Sequence, residues 1–297
     1  MEAFMGEWLT VRSEDGRELE VLRSGAADGY PLLWFGGTPS EASGIPHVTR
    51  AVTDRNWQLV SYSRPGYAGS TVRPERTVAD AAWDAVAVLD HLGLDRFVTL
   101  GWSGGGPHAL ACAALLPDRC AGAATLASVA PYDVEGLDWL NGMAPENHEE
   151  FGAAAESLPA LTIYLEEQAS GLANVTGEEV TAALGGLVSE VDREALIGEL
   201  AESVAATMRG AVSAGIAGWR DDDIAFVKDW GFDVSAITSP VSIWQGQQDR
   251  MVPFTHGQWL AAHIPGARLH LQPDQGHLSL FAQSPRIIDD LEELASG

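Results

Sequence analysis

A serine flanked by glycines is the feature of this sequence whose residue types most clearly could do chemistry. Residues 101–105 read Gly-Trp-Ser-Gly-Gly, which fits G-x-S-x-G, and they stand between an apolar run and an Ala-rich helical pattern. Between a strand and a helix, such a turn aims the Ser103 Oγ away from the sheet. The N–H of Gly104 then lies at a helix N-terminus, where a developing negative oxygen is stabilised. We predict Ser103 as a nucleophile and Gly104 as an oxyanion-hole donor.

A serine hydroxyl is too weakly acidic to attack at neutral pH, so a histidine and a carboxylate are needed later in the chain. Asp249 and His277 each follow an apolar run, and Gly276 allows a sharp turn before the histidine. Because the carboxyl ends of parallel strands meet at one edge of a sheet, both side chains can approach Ser103. We predict His277 as the base and Asp249 as the acid that orients it. Asp133, which follows an earlier strand, is the alternative acid.

Together these motifs resemble those of the α/β-hydrolase-fold serine hydrolases over essentially the whole chain. Residues 35–39 are similar to the family's H-G-x-P oxyanion loop, and residues 63–70 are similar to its D-x-x-G-x-G-x-S loop. The resemblance implies a second oxyanion donor, the N–H of Thr38. Gly36 stands where the family usually has His, and Ser63 where it usually has Asp. The side-chain hydrogen bonds that brace these loops are therefore either missing or supplied by other residues.

Apolar runs that alternate with helical patterns surround the motifs. Strands are expected at residues 7–11, 18–23, 32–35, 58–62, 96–100, 241–244 and 268–271. Helical patterns follow at residues 78–89, 107–116 and 256–264 and at the C-terminus. Strands that alternate with helices indicate an α/β class, with a mostly parallel sheet flanked by helices.

The strand signal disappears in the middle of the chain. From Tyr132 to Gly231 the pattern is Ala/Glu-rich and helical, with stretches at residues 149–168, 178–187, 193–207 and 211–219. We therefore expect an α/β-hydrolase core formed by residues 1–131 and 232–297, and an inserted helical cap formed by residues 132–231.

Aromatic residues occur beside the nucleophile and in the expected cap. We interpret Trp102 as a substrate-binding side chain that lines an apolar acyl pocket. Four aromatic residues of the expected cap could line the same pocket, but we favour core positions for them, since aromatic residues at helical spacing usually pack in a core; they are Trp139, Phe151, Tyr164 and Trp219.

The remaining histidines do not fit the position of a base. His91, His108, His263 and His270 fall within predicted helices or strands and are interpreted as structural or surface side chains. His148 and His256 could contact substrate. No metal and no cofactor are expected, because metal-ligand spacing, a dinucleotide fingerprint and a Walker motif are all missing from the sequence.

Composition and charge limit the possible partners. The 297 residues are 46% hydrophobic and 20% charged, which is typical of a globular protein. The formal net charge of −25 disfavours nucleic acid and anionic membranes, which are bound through clustered Lys and Arg. The N-terminus lacks a basic region followed by an apolar stretch, so we expect a cytoplasmic protein that acts on a small molecule.

The predicted function is hydrolysis of a small to medium carboxylic ester through an acyl-enzyme on Ser103. Three alternatives stay open, because a triad fixes the acyl step and leaves the substrate to pocket shape. They are an aminopeptidase similar to proline iminopeptidases, a carbon–carbon hydrolase or perhydrolase, and a small-ligand receptor with little turnover.

Overall fold

The computed structural model describes residues 6–296, and its centre is an eight-stranded sheet. The strands are β1 (Glu7–Arg12), β2 (Glu18–Gly25), β3 (Pro31–Phe35), β4 (Gln58–Tyr62), β5 (Phe97–Trp102), β6 (Cys120–Leu126), β7 (Val241–Gly246) and β8 (Arg268–Gln272). They lie in the order β1-β2-β4-β3-β5-β6-β7-β8. Strand β2 is antiparallel to β1 and β4, and the other neighbours are parallel. The predicted mostly parallel sheet is confirmed.

Helices accompany the sheet along the described chain. They are α1 (Pro46–Asp54), α2 (Asp80–His91), α3 (Gly106–Leu115), α4 (Pro145–Glu156), α5 (Leu158–Leu172), α6 (Val180–Ala183), α7 (Glu190–Ala195), α8 (Gly198–Ala211), α9 (Ala217–Phe226), α10 (Phe254–His263) and α11 (Ser284–Ser296). Short 3₁₀ turns occur at Ser103–Gly105, Gly185–Leu187, Val234–Ala236 and Ser279–Gln283.

The sheet is covered on both faces. Helices α2, α3 and α10 pack on one face and α1 and α11 on the other. Along β3, Leu33 and Phe35 point into the first layer, while Leu32 and Trp34 point into the second. Every residue of β3, β4, β6 and β7 is buried. Burial on both faces explains why these strands appear in the sequence as continuous apolar runs.

Residues 132–231, which we call the cap segment, connect β6 to β7. The structure describes all of them, and they contain helices α4 to α9 and no strand. The predicted helical character of this segment is confirmed. Its status as a separate unit from the core stays a prediction.

Several predicted helix bounds in the cap segment are wrong. The helix expected over 149–168 is split at Ser157, whose extended backbone and capping hydroxyl begin α5. The helix expected over 193–207 covers the end of α7 and most of α8. The helix expected over 211–219 spans a loop in which Gly215 adopts a φ of +96°. In each case a local capping or turn residue overrides the helical periodicity of its neighbours.

The carboxyl ends of four parallel strands face the same side of the molecule. Loops there carry Thr38 after β3, Ser103 after β5, Asp249 after β7 and His277 after β8. This is the edge at which open α/β sheets bind ligands. The longest helix among residues 6–296, α5 with 15 residues, is too short to cross a membrane, and no described helix meets that requirement.

Candidate active site

Ser103 occupies a strained turn between β5 and α3. Its φ is +54°, a left-handed value that costs a residue with a side chain about 1–3 kcal/mol. A Cβ at Gly105 would overlap the carbonyl of Phe35, and one at Gly101 would overlap the carbonyl of Gly105. The two glycines thus permit the close approach of strand and helix that the sequence pattern predicts, and the turn holds Ser103 at the cavity.

His277 and Asp249 lie side by side behind the serine. The His277 Nδ1 is 2.8 Å from the Asp249 Oδ2, and both side chains are buried. The Asp249 Oδ1 accepts the N–H groups of Met251 and Val252 at 2.8 Å each, and Gln245 donates its amide to Oδ2 at 3.2 Å. Burial raises the pKa of Asp249, while His277 and the Val252 N–H act in the opposite direction. The acid therefore has a fixed orientation and a single imidazole partner.

The alternative acid, Asp133, lies elsewhere. It occupies a turn after β6 with a φ of +55°, and its side chain is exposed to solvent. Of the two carboxylates considered from the sequence, Asp249 is the one that the fold brings to His277.

Ser103 and His277 line one cavity of about 170 Å³ between the strand ends and the cap segment. Trp102, Thr38 and Gly104 line the same cavity. Much of the remaining wall is apolar and includes Ile45, Val129, Phe151, Leu184, Val204 and Leu278. The fold therefore brings the predicted site residues together, with Asp249 behind the histidine, in a space suited to an apolar acyl group.

The predicted oxyanion residues are adjacent. A Cβ at Gly104 would overlap the Oγ1 of Thr38, so the two loops touch at this point. The Thr38 hydroxyl, which is the part of Thr38 nearest Gly104, donates to the Asp222 Oδ2 at 2.9 Å and is held there. Their joint role as oxyanion donors stays a prediction.

The two loops that contain Gly36 and Ser63 are braced by the Arg64 side chain and by the Ser63 hydroxyl itself. Arg64, which is 2% exposed, donates to the carbonyls of Gly36 at 2.9 Å and Gly37 at 2.8 Å. The Ser63 hydroxyl accepts the N–H of Ala42 at 2.8 Å. A buried guanidinium thus holds the oxyanion loop in place of the family's usual side chains. The signal in the sequence was the arginine at the end of an otherwise apolar run.

Asp222 of α9 neutralises that arginine. It is fully buried, with its carboxylate 2.6 Å from Arg64 Nη2 and 2.7 Å from Arg76 Nη1, and it accepts the Tyr67 hydroxyl at 2.9 Å. Burial alone would raise the pKa of Asp222, but the charges of Arg64 and Arg76 hold it far below its ordinary value. Asp222 and its partners form what we call the arginine cluster, which sequence reasoning did not identify.

Two other buried histidines have structural partners. His108 lies beside the arginine cluster, where burial and the charge of Arg64 lower its pKa to about 3. The His256 ring bonds to the N–H of Ala130 at 3.1 Å and to the carbonyl of Trp139 at 2.8 Å. The suggestion that His256 contacts substrate is therefore wrong, because both ring nitrogens are already engaged.

A pair of acidic side chains, Glu150 and Asp223, lines the cavity on the cap side. The Trp219 Nε1 donates to the Glu150 Oε1 at 2.7 Å. Asp223 is fully buried, and neither of its carboxyl oxygens has a hydrogen-bond partner among the described residues. Burial, followed by the charge of Glu150, raises the pKa of Asp223 well above its ordinary value. Burial likewise raises the pKa of Glu150.

The aromatic side chains divide between cavity and core. The Trp102 ring contacts the His277 ring with a centroid distance of 5.4 Å. Trp139 packs against Phe151 and His256 as expected for a core residue. Phe151, Tyr164 and Trp219 pack in the apolar clusters, as favoured from the sequence, and also line the cavity, which was the alternative. Helical spacing reveals that they are buried but not which of their edges stays open.

No group of three His, Cys, Asp or Glu side chains suited to a metal ion occurs within residues 6–296.

Comparisons with known proteins match this architecture. A family model described as the alpha/beta hydrolase fold matches residues 31–283. A pimeloyl-(acyl-carrier protein) methyl ester esterase from Nitrosomonas europaea is 26% identical over 271 residues, which cover 90% of this chain and 96% of that protein. A non-heme chloroperoxidase from Streptomyces lividans is 26% identical over 249 residues, covering 82% and 83%.

Solved structures agree on the fold. An esterase from Exiguobacterium antarcticum superimposes with a TM-score of 0.69 at 19% identity, covering 99% of this chain and 100% of the other. The prediction of an α/β-hydrolase fold is confirmed. Because the family model spans most of the chain, this protein belongs to the alpha/beta hydrolase fold family.

Proposed function

We propose that this hydrolase cleaves a carboxylic ester of small to medium size, with Ser103 as nucleophile, His277 as base and Asp249 as the acid that orients it. The observation that carries the proposal is the 2.8 Å contact between His277 Nδ1 and Asp249 Oδ2 at a cavity that also holds Ser103 in its strained turn. A carboxylate on Nδ1 keeps the proton there and leaves Nε2 as the basic nitrogen.

The reaction proceeds in two steps. The Ser103 Oγ attacks the ester carbonyl carbon and its proton passes to His277 Nε2. The carbonyl oxygen gains negative charge, which the N–H groups of Thr38 and Gly104 stabilise. His277 then gives the proton to the leaving alcohol, and a water molecule, deprotonated by the same nitrogen, hydrolyses the acyl-enzyme. Asp249 stabilises the imidazolium in both steps.

The cavity and the related proteins both support an ester as the substrate. The apolar wall suits an acyl chain, and about 170 Å³ limits its size. Relatives named as esterases agree with the predicted enzyme class, a hydrolase of carboxylic esters. We further propose that the cap segment forms a lid over the cavity, since five of its helices and one 3₁₀ turn supply wall residues.

The test begins with p-nitrophenyl esters of graded acyl length and a fluorophosphonate that labels activated serines. The wild type is expected to hydrolyse the esters and to be labelled, and Ser103→Ala is expected to lose both while keeping its fold, since only one oxygen is removed. The rate should fall by several orders of magnitude. Ser128→Ala is a matched control, because Ser128 is a buried serine whose hydroxyl bonds only to the carbonyl of Val129. Equal labelling of wild type and Ser103→Ala would overturn the assignment.

One observation favours a second candidate, a substrate with a protonated amine, as in an aminopeptidase. Glu150 and Asp223 provide acceptor oxygens within the cavity, and among the described residues only the Trp219 Nε1 donates to them. An ammonium group bound there would favour the ionised form of both carboxyl groups and pair with them.

Proline p-nitroanilide run beside the esters separates the two candidates. Amide turnover that Glu150→Gln abolishes, with ester turnover retained, would support the amine-directed enzyme. Ester turnover without amide turnover supports the esterase. Turnover of neither, with Ser103 still labelled, would favour another acyl reaction, and the absence of labelling would favour a ligand receptor.

A further inference from the structure

Asp192, in the short cap helix α7, contacts the loop that carries His277. Its Oδ2 accepts the N–H of His277 at 3.0 Å, and its Oδ1 accepts the N–H groups of Leu278 at 2.8 Å and Ser279 at 2.9 Å. These residues are 85 to 87 positions away in sequence. One carboxylate therefore holds three consecutive backbone donors of the proposed base loop.

Asp192 and Gly276 fit closely against each other at this contact. Asp192 is fully buried, with 0% of its surface accessible to solvent. A Cβ at Gly276 would overlap its carboxylate, so the glycine before the histidine leaves space for Asp192 as well as allowing a turn. The close fit means that neither side chain can be enlarged without moving the loop.

Helix capping alone does not account for Asp192. It is the third residue of α7 after the N-cap Ser189, a position from which an acidic side chain usually bonds back to the N-cap N–H. Here Asp192 instead accepts the Ser189 hydroxyl at 2.7 Å and directs its remaining acceptor capacity to the distant loop. The carboxylate thus joins α7 to the loop after β8.

Asp192 is held as an anion without a cation. No Arg or Lys lies within ion-pair distance of it in residues 6–296. Burial would raise the pKa of Asp192, but hydrogen bonds from the Ser279 N–H, the Ser189 hydroxyl and the His277 N–H outweigh it and hold the pKa below its ordinary value. The charge of His277 also acts to lower the pKa of Asp192.

We propose that Asp192 is a positioning residue of this active site: it fixes the backbone of the His277 loop from the cap segment and adds a second buried negative charge beside the imidazole. This inference rests on the proposed function, in which His277 is the base. Asp192 and Asp249 then divide two tasks, since Asp249 orients the ring and Asp192 fixes the main chain that carries it.

Other charged groups bear on the same imidazole. Asp249 bonds to the ring from the loop after β7, and Asp192 bonds to the main-chain N–H of the same residue from α7. Ionisable side chains further along the cavity wall are Glu146, Glu150, Tyr164 and Asp223, from α4, α5 and α9. Those of α7 other than Asp192 are Glu190, Arg193 and Glu194, which are exposed to solvent and therefore screened.

The variant Asp192→Asn tests the inference because it keeps the size of the side chain. Its amide oxygen can still accept two of the three N–H groups, but its NH₂ meets the third donor, so the loop shifts. We expect kcat to fall by about 100-fold, the cost of a displacement near 1 Å in an active site, with KM changed by less than threefold. The loss of a negative charge also destabilises the imidazolium, so the acid limb of the kcat/KM profile moves to lower pH by roughly half a unit.

Glu190→Gln is the matched control, since it removes one negative charge from the same helix without touching the loop. It is expected to leave kcat and the pH profile unchanged. Asp192→Glu keeps the charge in a longer side chain and is expected to lower kcat while the acid limb stays in place. If Asp192→Asn fails to fold, this second variant decides the matter, and a wild-type kcat for Asp192→Glu would overturn the inference.

A readout that needs no turnover separates this inference from the proposed function. The His277 ring is titrated by NMR in wild type, Asp192→Asn and Glu190→Gln, with His277→Gln used to assign its signal. A lower titration midpoint in Asp192→Asn alone supports the inference even if no ester is hydrolysed. An unchanged midpoint together with unchanged kcat would show that Asp192 only packs the cap.

Discussion

Two buried carboxylates of the cap segment contact loops on opposite sides of the proposed site, and they differ in the groups that bind them. On the side that carries His277, which we call the base side, Asp192 of α7 accepts three main-chain N–H groups and one hydroxyl. On the side that carries Thr38, which we call the oxyanion side, Asp222 of α9 pairs with the guanidinium groups of Arg64 and Arg76. Both carboxylates are fully buried. Asp192 is satisfied by neutral donors alone, whereas Asp222 is satisfied by two cations together with the hydroxyls of Thr38 and Tyr67.

This difference in partners predicts that the two carboxylates have different roles, one in the geometry of a loop and the other in the stability of the fold. A carboxylate bound by backbone donors fixes the path of the loop, so its loss should displace the groups carried there. A carboxylate between two buried cations neutralises them, so its loss leaves charge in the interior, at a cost of several kcal/mol. We therefore expect base-side changes to affect mainly the rate, and oxyanion-side changes to affect mainly the free energy of unfolding.

The largest expected effect is on the base side, from Asp249→Asn. The amide NH₂ would donate to His277 Nδ1 and force the proton to Nε2, so that this nitrogen can no longer accept the serine proton. We expect kcat to fall roughly 10⁴-fold with little change in stability. Asp133→Asn, which alters an exposed side chain, should keep near-wild-type kcat. An active Asp249→Asn enzyme beside an inactive Asp133→Asn enzyme would reverse the choice of acid.

Next comes Asp222→Asn on the oxyanion side. It leaves Arg64 and Arg76 buried without their counter-charge, and we expect the free energy of unfolding to fall by about 3–5 kcal/mol in urea titrations. Asp221→Asn is the control on the same helix, because its partner Arg220 is 26% exposed and the pair should contribute about 1 kcal/mol or less. Equal losses for the two variants would show that the arginine cluster is not the source of the stability.

A smaller, pH-dependent effect is expected at Asp223. Because its folded pKa is raised, the native state binds one more proton than the unfolded state once the pH exceeds about 3.8, the value for an unperturbed Asp. Its contribution to stability is complete below that pH and is lost as the pH rises through the folded pKa. The loss amounts to about 1.4 kcal/mol per pH unit in that window.

Asp223→Asn stays neutral at every pH and should lack this slope, so its stability relative to wild type should improve as the pH rises. Urea titrations at several pH values between 4 and 8 measure the two curves. Parallel curves would mean that Asp223 is ionised in the native protein. The comparison with Asp222 is direct, since the two residues are adjacent on α9 and their pKa values shift in opposite directions.

The smallest effect is expected for Ser189→Ala. It removes one hydroxyl donor to Asp192 and the N-cap of α7, which should cost about 1 kcal/mol of stability. The three backbone bonds to Asp192 remain, so kcat should stay within about threefold of wild type. If kcat falls as far as is expected for Asp192→Asn, the position of helix α7, and not the Asp192 carboxylate alone, determines the position of the loop.

Much of the core could be predicted from the sequence. The strands are short apolar runs, the loops after them carry Gly and Pro, and the proposed nucleophile lies in a five-residue pattern whose glycines have a local geometric reason. The partner residues Asp249 and His277 could be proposed because each follows a strand, and parallel strands end at one edge. The helix bounds in the cap segment could not, because single capping residues such as Ser157 decide them.

The sequence by itself determined the alternation of strands and helices and the residues of the proposed triad. Only the tertiary structure decided which of 42 acidic residues support the site. Asp192, Asp222 and Asp223 have no local pattern that separates them from acids on the surface. Asp222 meets Thr38 across 184 residues, and Asp192 meets His277 across 85. The donors and charges that folding brings to each carboxyl group decide its role: Asp222 neutralises arginines, Asp192 holds a loop, and Asp223 has a raised pKa.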